Sequence, residues 1–286
     1  MQCTLVDVFA NKALTGNGLT IFSDCESLSS QRMLALTREM RQYESIFLFE
    51  SAQGLSARIF TMDEELDFAG HPLLGLAHFL GERSGVSGEH SSVSSEQHWQ
   101  VALNTRKVEL RSWTQQEGSF AAMDQGKPSF GHILDSALAQ WACEAIGLSR
   151  EDLAHAPAQI VSTGLPYLIL PLRTGLEKVS YREDISYWLS EIGAKFLYAL
   201  DVERLEGRSF DNAGKSEDIA TGSAAGPAAA YLWQHQLVAR PQLSIQQGRF
   251  VHRPSEIKVS LDCEGRDINN VAISGQVITT ANISFV

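Results

Sequence analysis

The sequence predicts an α+β protein made of two similar halves, and three observations carry that prediction. Many short apolar runs alternate with turn residues, the signature of short strands. Two helical runs show no broad polar face and read as buried helices. The same pattern also occurs twice, about half a chain apart. Asp67-Phe68-Ala69-Gly70-His71-Pro72 leads into the apolar run 73–80. Asp218-Ile219-Ala220-Thr221-Gly222-Ser223 leads into the alanine-rich run 224–233. Upstream of each sits Arg-x-Phe, as Arg58-Ile59-Phe60 and Arg208-Ser209-Phe210. Self-similarity at so long a period means duplicated domains and not a solenoid. Many short strands with two buried helices indicate α+β, in place of a parallel doubly wound sheet.

Taken in order, residues 5–9 read as a first strand and 11–18 as a turn-rich loop. Gly16-Asn17-Gly18 is followed by no third glycine at dinucleotide spacing and runs into the strand-like 19–22, so a Rossmann site is rejected. Ser29 or Ser30 caps a helix through Met40, with Met33, Leu34, Leu36 and Met40 near helical spacing. The run 46–49 is a buried strand, and 57–61 is another. Residues 82–97, rich in Ser, Gly and Glu, form a surface loop. A hairpin follows over 99–103 and 107–113, and 115–119 marks the domain boundary, giving lobes 1–118 and 119–286. In the second lobe, 136–146 is a helix closed by Gly147. Strands are expected at 158–163, 167–172, 196–200, 243–248 and 257–261, with a helix over 184–193. A final strand within 275–285 completes the sheet and crosses back to the first lobe.

Composition bounds the function. The 286 residues are 44% hydrophobic and 20% charged, in the globular range. No stretch approaches the ~20 apolar residues of a membrane span. The N-terminus lacks a basic region ahead of its apolar part, so it reads as a strand and not a signal peptide. A net charge of −11 speaks against a nucleic-acid partner. Cys3, Cys25, Cys143 and Cys263 are far apart, form no C-x-x-C pair, and are expected as reduced thiols of a cytoplasmic protein. The eight histidines include no H-x-H or H-E-x-x-H spacing, so no metal site is expected. No organic cofactor is expected either.

The chemistry gathers at a few positions. A helix N-terminus carries roughly half a positive charge and free N–H groups, so the turns at Gly70 and at Thr221, Gly222 and Ser223 suit a carboxylate or a developing oxyanion. A cleft between the halves lets both N-termini aim at one point. Glu44 stands where a helix–strand loop enters the sheet, beside Tyr43 and an apolar strand, a place where a carboxylate is partly desolvated. On position alone an ordinary polar loop residue is the commoner reading. His71, next to a glycine at a helix start, is a candidate acid or base. Ser223 does not fit the G-x-S-x-G nucleophile elbow. Asp218 either caps the second helix or orients a substrate group.

At these residues the chain resembles the PhzF-like isomerases of phenazine biosynthesis and, more distantly, diaminopimelate epimerase. The matching stretches are Val6-Asp7-Val8-Phe9 with Gly16-Asn17, Glu44 before its strand, Arg58-Ile59-Phe60-Thr61, Phe68-Ala69-Gly70-His71-Pro72, Glu217-Asp218 with Ala220-Thr221-Gly222-Ser223-Ala224, and Gln247-Gly248 with Arg253-Pro254-Ser255. The resemblance implies two lobes, each a curved, mainly antiparallel sheet around a central helix. It also implies cofactor-independent proton transfer on a small carboxylate-bearing substrate, in a homodimer. It places the general acid/base on Glu44, with His71, Asp218 and Ser223 assisting. Together with the helix turns it marks Asn17, Gly70, Thr221, Gly222 and Ala224 as substrate-binding. Where the epimerases carry a cysteine at each helix turn, this chain has His71 and Ser223, so a two-thiol racemase is not expected. Gly18, Ile219 and His252 depart from the family pattern and leave the substrate open. Two alternatives stand beside this reading: an epimerase of a small amino or hydroxy acid, and a small-acid binding protein that has lost catalysis.

Overall fold

The computed structural model describes residues 1–84 and 96–285. Of the loop expected over 82–97, residues 85–95 lie outside the described residues. The chain divides into two compact units, Met1–Asp124 with Ser274–Val286, and Gln125–Ile273.

The first unit opens with β1 (Gln2–Val8), antiparallel to β2 (Asn17–Ser23). Helix α1 (Ser30–Met40) starts where the Ser29 side chain accepts from the Arg32 N–H, and stops at Arg41 in the left-handed region. Strand β3 (Glu44–Ser51) then lies parallel to β2, and β4 (Gly54–Thr61) returns antiparallel to β3. A two-residue β5 (Glu65–Leu66) folds back on β4 and delivers the chain to α2 (Gly70–Arg83). Strand β6 (Gln97–Ala102) runs parallel to β4, and β7 (Lys107–Gln115) and β8 (Gly118–Gly126) follow by antiparallel turns. Residues 115–118 are the β7–β8 turn, and the unit runs on to Asp124.

The apolar run in β3 is continuous because both its faces are covered. Phe47 stacks on Phe22 at 4.6 Å and joins Met33 and Leu36 under α1. On the other side α2 packs against β1, β2, β3 and β7. All residues of α2 from Gly70 to Leu80 are buried, which is why it has no polar face. Gly75 permits the close approach, since a Cβ there would run into the Leu19 side chain.

The second unit adds β9 (Ser129–Ile133) and α3 (Ser136–Ala145), whose N-cap Asp135 accepts from the Ala137 and Leu138 N–H groups. It continues through β10 (Gln159–Ser162), β11 (Pro166–Leu172), α4 (Ser186–Glu191), β12 (Phe196–Asp201), β13 (Glu206–Phe210) and β14 (Glu217–Asp218). Helix α5 (Gly222–Gln234) is buried almost throughout, and β15 (Gln242–Gln247), β16 (Ser255–Glu264) and β17 (Asp267–Ile283) complete the chain. The last strand begins in the second unit and ends in the first. There it pairs antiparallel with β1, from Val8↔Val277 to Cys3↔Ile283. Strand β9 carries no sequence signal: it is short, holds Gly131, and is exposed along its length.

The pairings of β10 to β16 repeat those of β1 to β7 in order and sense, with parallel β11–β12 and β13–β15 matching parallel β2–β3 and β4–β6. Register then aligns individual residues. Leu19↔Glu44 corresponds to Tyr167↔Phe196, Phe47↔Arg58 to Ala199↔Arg208, and Phe60↔Glu65 to Phe210↔Glu217. Gly70 and Gly222 therefore correspond, as do Arg58 and Arg208. The repeated Asp-x-Ala pattern does not: it is one residue out of step. Asp67 corresponds to Ile219, and Asp218 to Leu66. The two aspartates match in composition only.

Candidate active site

In the first unit β2 and β3 are parallel and begin at the same end, with Leu19 opposite Glu44. Asn17 is the first residue of β2 and Glu44 the first of β3, and both are buried. Glu44 thus belongs to the sheet and not to the loop before it, held between Leu19 and Thr61. Helix α2 begins beside it at Gly70. Its N-cap, Ala69, is extended and offers no side-chain bond to the first N–H groups. The second helical residue, His71, places Nδ1 2.9 Å from Glu44 Oε2. Glu44 is 7% and His71 5% exposed. With the carboxylate ionised, Nδ1 carries the proton and donates it. Strand pairing and the imidazole contact fix this carboxylate in place, and burial leaves it poorly solvated.

In the second unit the start of α5 rests on a polar network. The Thr221 hydroxyl donates to Asp218 Oδ2 at 2.6 Å, and the Ala220 N–H donates to Oδ1 at 3.4 Å. Asp218 therefore braces the turn before the helix and does not cap the helix itself; Thr221 is the N-cap and makes no side-chain cap bond. Gln247, 1% exposed, fixes the arrangement. Its Nε2 donates to the Asp218 carbonyl at 2.8 Å and to Thr221 Oγ1 at 2.9 Å. Its Oε1 accepts from the Thr221 N–H at 3.2 Å and from the Tyr198 hydroxyl at 3.0 Å. Burial, and then the Asp218 charge, push the Tyr198 phenol well above its ordinary range, so it stays protonated and donates. One branch of the network ends on the Asp218 carbonyl, and the other runs through the Thr221 hydroxyl to the Asp218 carboxylate. Gly222 is held from its carbonyl by Gln125 Nε2 at 2.9 Å, and Gln125 Oε1 accepts from Thr163 at 3.0 Å. Ser223 Oγ lies 2.7 Å from Tyr167 Oη, and Ala224 is fully buried one residue further on.

The site residues thus fall into two sets. Asn17, Glu44, Gly70 and His71 belong to the first unit. Asp218, Thr221, Gly222, Ser223 and Ala224 belong to the second. Within the first set the structure joins Glu44 to His71, and within the second it joins Asp218 to Thr221. Sequence reading missed Tyr167, Tyr198 and Gln125 as partners. Gln247 was visible only as part of a matching Gln-Gly stretch. Their partners lie 56, 49, 97 and 26 residues away for Tyr167, Tyr198, Gln125 and Gln247, and no local pattern encodes such contacts.

Comparison with known proteins places this geometry in a family. The model of the phenazine biosynthesis-like proteins matches residues 6–282. The trans-2,3-dihydro-3-hydroxyanthranilate isomerase of Pseudomonas aeruginosa is 31% identical, over 95% of this chain and 94% of its own. Among solved structures, a predicted epimerase of Pseudomonas aeruginosa superposes with a TM-score of 0.90 at 43% identity, covering 100% of this chain and 99% of that one. A hydroxyproline epimerase of Agrobacterium vitis shares the fold alone, with a TM-score of 0.63 at 11% identity, covering 99% and 91% of the two chains. The α+β fold is thus of the diaminopimelate epimerase type, and the chain is an isomerase that belongs to the phenazine biosynthesis-like, PhzF-type family.

Proposed function

We propose that the protein moves a proton on a small carboxylate-bearing substrate, with Glu44 as general acid/base and His71 as its partner. The observation that carries the reading is the buried 2.9 Å contact between Glu44 Oε2 and His71 Nδ1 at the start of α2. Removing a C–H proton needs a base close to the carbon and poorly solvated, and a strand-fixed, buried carboxylate meets both needs. The enolate or carbanion that forms needs preorganised donors. Beside Glu44 the N–H groups at Gly70 supply them; in the second unit those of Gly222 and Ser223 offer the same chemistry together with the Ser223 hydroxyl, while the Ala224 N–H already donates to the Thr221 carbonyl at 3.0 Å. Asn17 and Thr221 are the further polar residues this reading assigns to substrate binding. Asp218, whose carboxylate is already an acceptor for Thr221, orients a substrate N–H or O–H. No step calls on a cofactor or a metal.

A second reading, epimerisation, is favoured by one observation, the 43% identity to a structure described as a predicted epimerase. Inversion needs a group to take the proton on one face of the carbon and another to return it on the opposite face. The second-unit positions that correspond to Glu44 and His71 hold Phe196 and Ser223, neither a base at neutral pH. That asymmetry favours a proton shift on one face over inversion.

The test is proton exchange in D2O followed by NMR, with trans-2,3-dihydro-3-hydroxyanthranilate and with a panel of small amino and hydroxy acids. Glu44→Gln keeps the shape and cannot accept the proton, so it is expected to bind ligand while turnover and exchange fall by about 10²–10⁴-fold. Near wild-type exchange in Glu44→Gln removes Glu44 from the chemistry. Deuterium at a shifted position indicates isomerisation, whereas deuterium with racemisation at the original carbon indicates the epimerase.

A further inference from the structure

Duplication lets the two central helices be compared residue by residue. In the first unit, the second residue of the helix, His71, meets the carboxylate at the head of β3. In the second unit the corresponding strand position holds Phe196, and the helix residue Ser223 finds a different partner, the phenol of Tyr167 on the neighbouring β11. Tyr167 occupies the register position of Leu19. Its ring lies against Phe196, centroids 5.7 Å apart. Tyr167 is 2% exposed, while Ser223 is only partly buried. Of the bonded pair the serine is the more exposed member, so a small molecule at this turn meets the serine hydroxyl before the phenol.

We propose that Tyr167 is a positioning residue for Ser223: the phenol donates to Ser223 Oγ and leaves the serine hydrogen to donate to an anionic oxygen of the substrate. This rests on Ser223 being a substrate contact. A phenol ionises near pH 10 and is a far stronger acid than an alkyl hydroxyl, so it is the donor of the 2.7 Å pair. A hydroxyl that accepts one strong bond donates a stronger one in turn. The second unit then offers a donor to developing negative charge where the first offers an acid/base, and the substrate oxygen it serves is a carboxylate or enolate oxygen.

A thiol in place of the serine reads this directly and needs no substrate. Ser223→Cys is alkylated with iodoacetamide across a pH range, and the modified peptide is followed by mass spectrometry. Following the modified peptide by mass separates position 223 from the native thiols, of which burial pushes Cys3 and Cys25 up to about 11 and Cys143 to about 12 and raises the partly exposed Cys263 as well. Asp218 and Tyr198 also bear on this end of α5; Tyr198 is raised first by burial and in lesser part by Asp218 and Tyr167, and it stays protonated across the range in every variant. With the phenol and the helix N–H groups stabilising the thiolate, Cys at 223 is expected to titrate below the ordinary value of about 8.5. Adding Tyr167→Phe is expected to raise that value by about one unit, roughly a tenfold loss of thiolate at neutral pH. A thiol that titrates low and does not move with Tyr167→Phe overturns the role of Tyr167 and leaves Ser223 in the site. A thiol that iodoacetamide never reaches overturns the reading of Ser223 itself, and this proposal with it. If Tyr167→Phe does not fold, 3-fluorotyrosine at 167 keeps the shape and sharpens the donor. The thiol value is then expected to fall, and an unchanged value overturns the proposal.

Discussion

Arg58 and Arg208 hold equivalent positions and make the same fork to a glutamate, in different surroundings. Arg58 bonds Glu65 through Nε at 2.7 Å and Nη2 at 2.5 Å, with side chains 28% and 24% exposed. Arg208 bonds Glu217 at 2.8 and 2.6 Å, with side chains 9% and 7% exposed, and its Nη1 also donates to the Leu176 and Val179 carbonyls. Removing a partner from the half-buried, water-accessible pair strands little charge, whereas Glu217→Gln leaves a buried guanidinium without its counterion. Glu65→Gln is expected to cost about 0–1 kcal/mol and Glu217→Gln about 3–5 kcal/mol in urea unfolding. Equal losses reject the distinction. The Arg-x-Phe repeat that flags these residues was legible in the sequence because strand register preserves it. The Asp-x-Ala repeat was a chance likeness. Glu44, His71 and Ser223 were legible as polar residues at the edges of apolar elements. Tyr167 was not, because its meaning comes only from a strand pairing that sets it beside Phe196 and a fold that brings its hydroxyl to Ser223.

At the scale of elements, α2 and α5 show why apolar helices are easy to read and their neighbours are not. A helix without a polar face must be buried, and the sequence declares it. Short strands such as β5, β14 and β9 gain their pairing from the sheet around them, and their residues carry little propensity of their own. Burial inside α2 has a titratable consequence. His78 is 3% exposed and its Nε2 lies 3.0 Å from Thr279 Oγ1. Burial pushes its imidazole below the ordinary value, against the opposing pull of Glu82 at 3.5 Å. The folded state therefore resists a proton that the unfolded chain takes up near pH 6.5. Stability attached to His78 is complete above that pH and is lost as pH falls from there toward the lower folded value, with a slope of up to about 1.4 kcal/mol per pH unit. His78→Gln keeps a partner for Thr279 and cannot titrate. Between pH 7.5 and 5.5, wild type is expected to lose more stability than His78→Gln in parallel urea titrations. Identical losses show that His78 is protonated as readily in the fold as out of it.

For the whole molecule, the order of the chain matters as much as its content. The first unit is discontinuous: it takes Met1–Asp124 and then Ser274–Val286. The returning segment is no ornament, because β1 lies between β2 and β17 and pairs with the latter from Val8↔Val277 to Cys3↔Ile283. Val6 and Val8 are fully buried, and Val277 is 1% exposed. The Ala10 N–H also donates to the Gln276 carbonyl at 3.1 Å, and Gln276 Nε2 reaches the Glu117 carbonyl at 2.9 Å. Without this segment β1 becomes an open, apolar edge, a template for pairing with other chains. The second unit, Gln125–Ile273, is continuous and holds its own apolar core between α3, α4 and the strands β10 to β12. A chain truncated after Ile273 is therefore expected to keep the second unit and lose the first. Limited proteolysis should cut within 1–124 and spare a fragment covering 125–273, and the truncated chain should aggregate with time as exposed β1 edges pair. Adding a synthetic peptide of residues 274–286 should restore protection of the first unit. If the truncated chain resists proteolysis over 1–124 as well as the full chain does, the returning strand does not hold the first unit together.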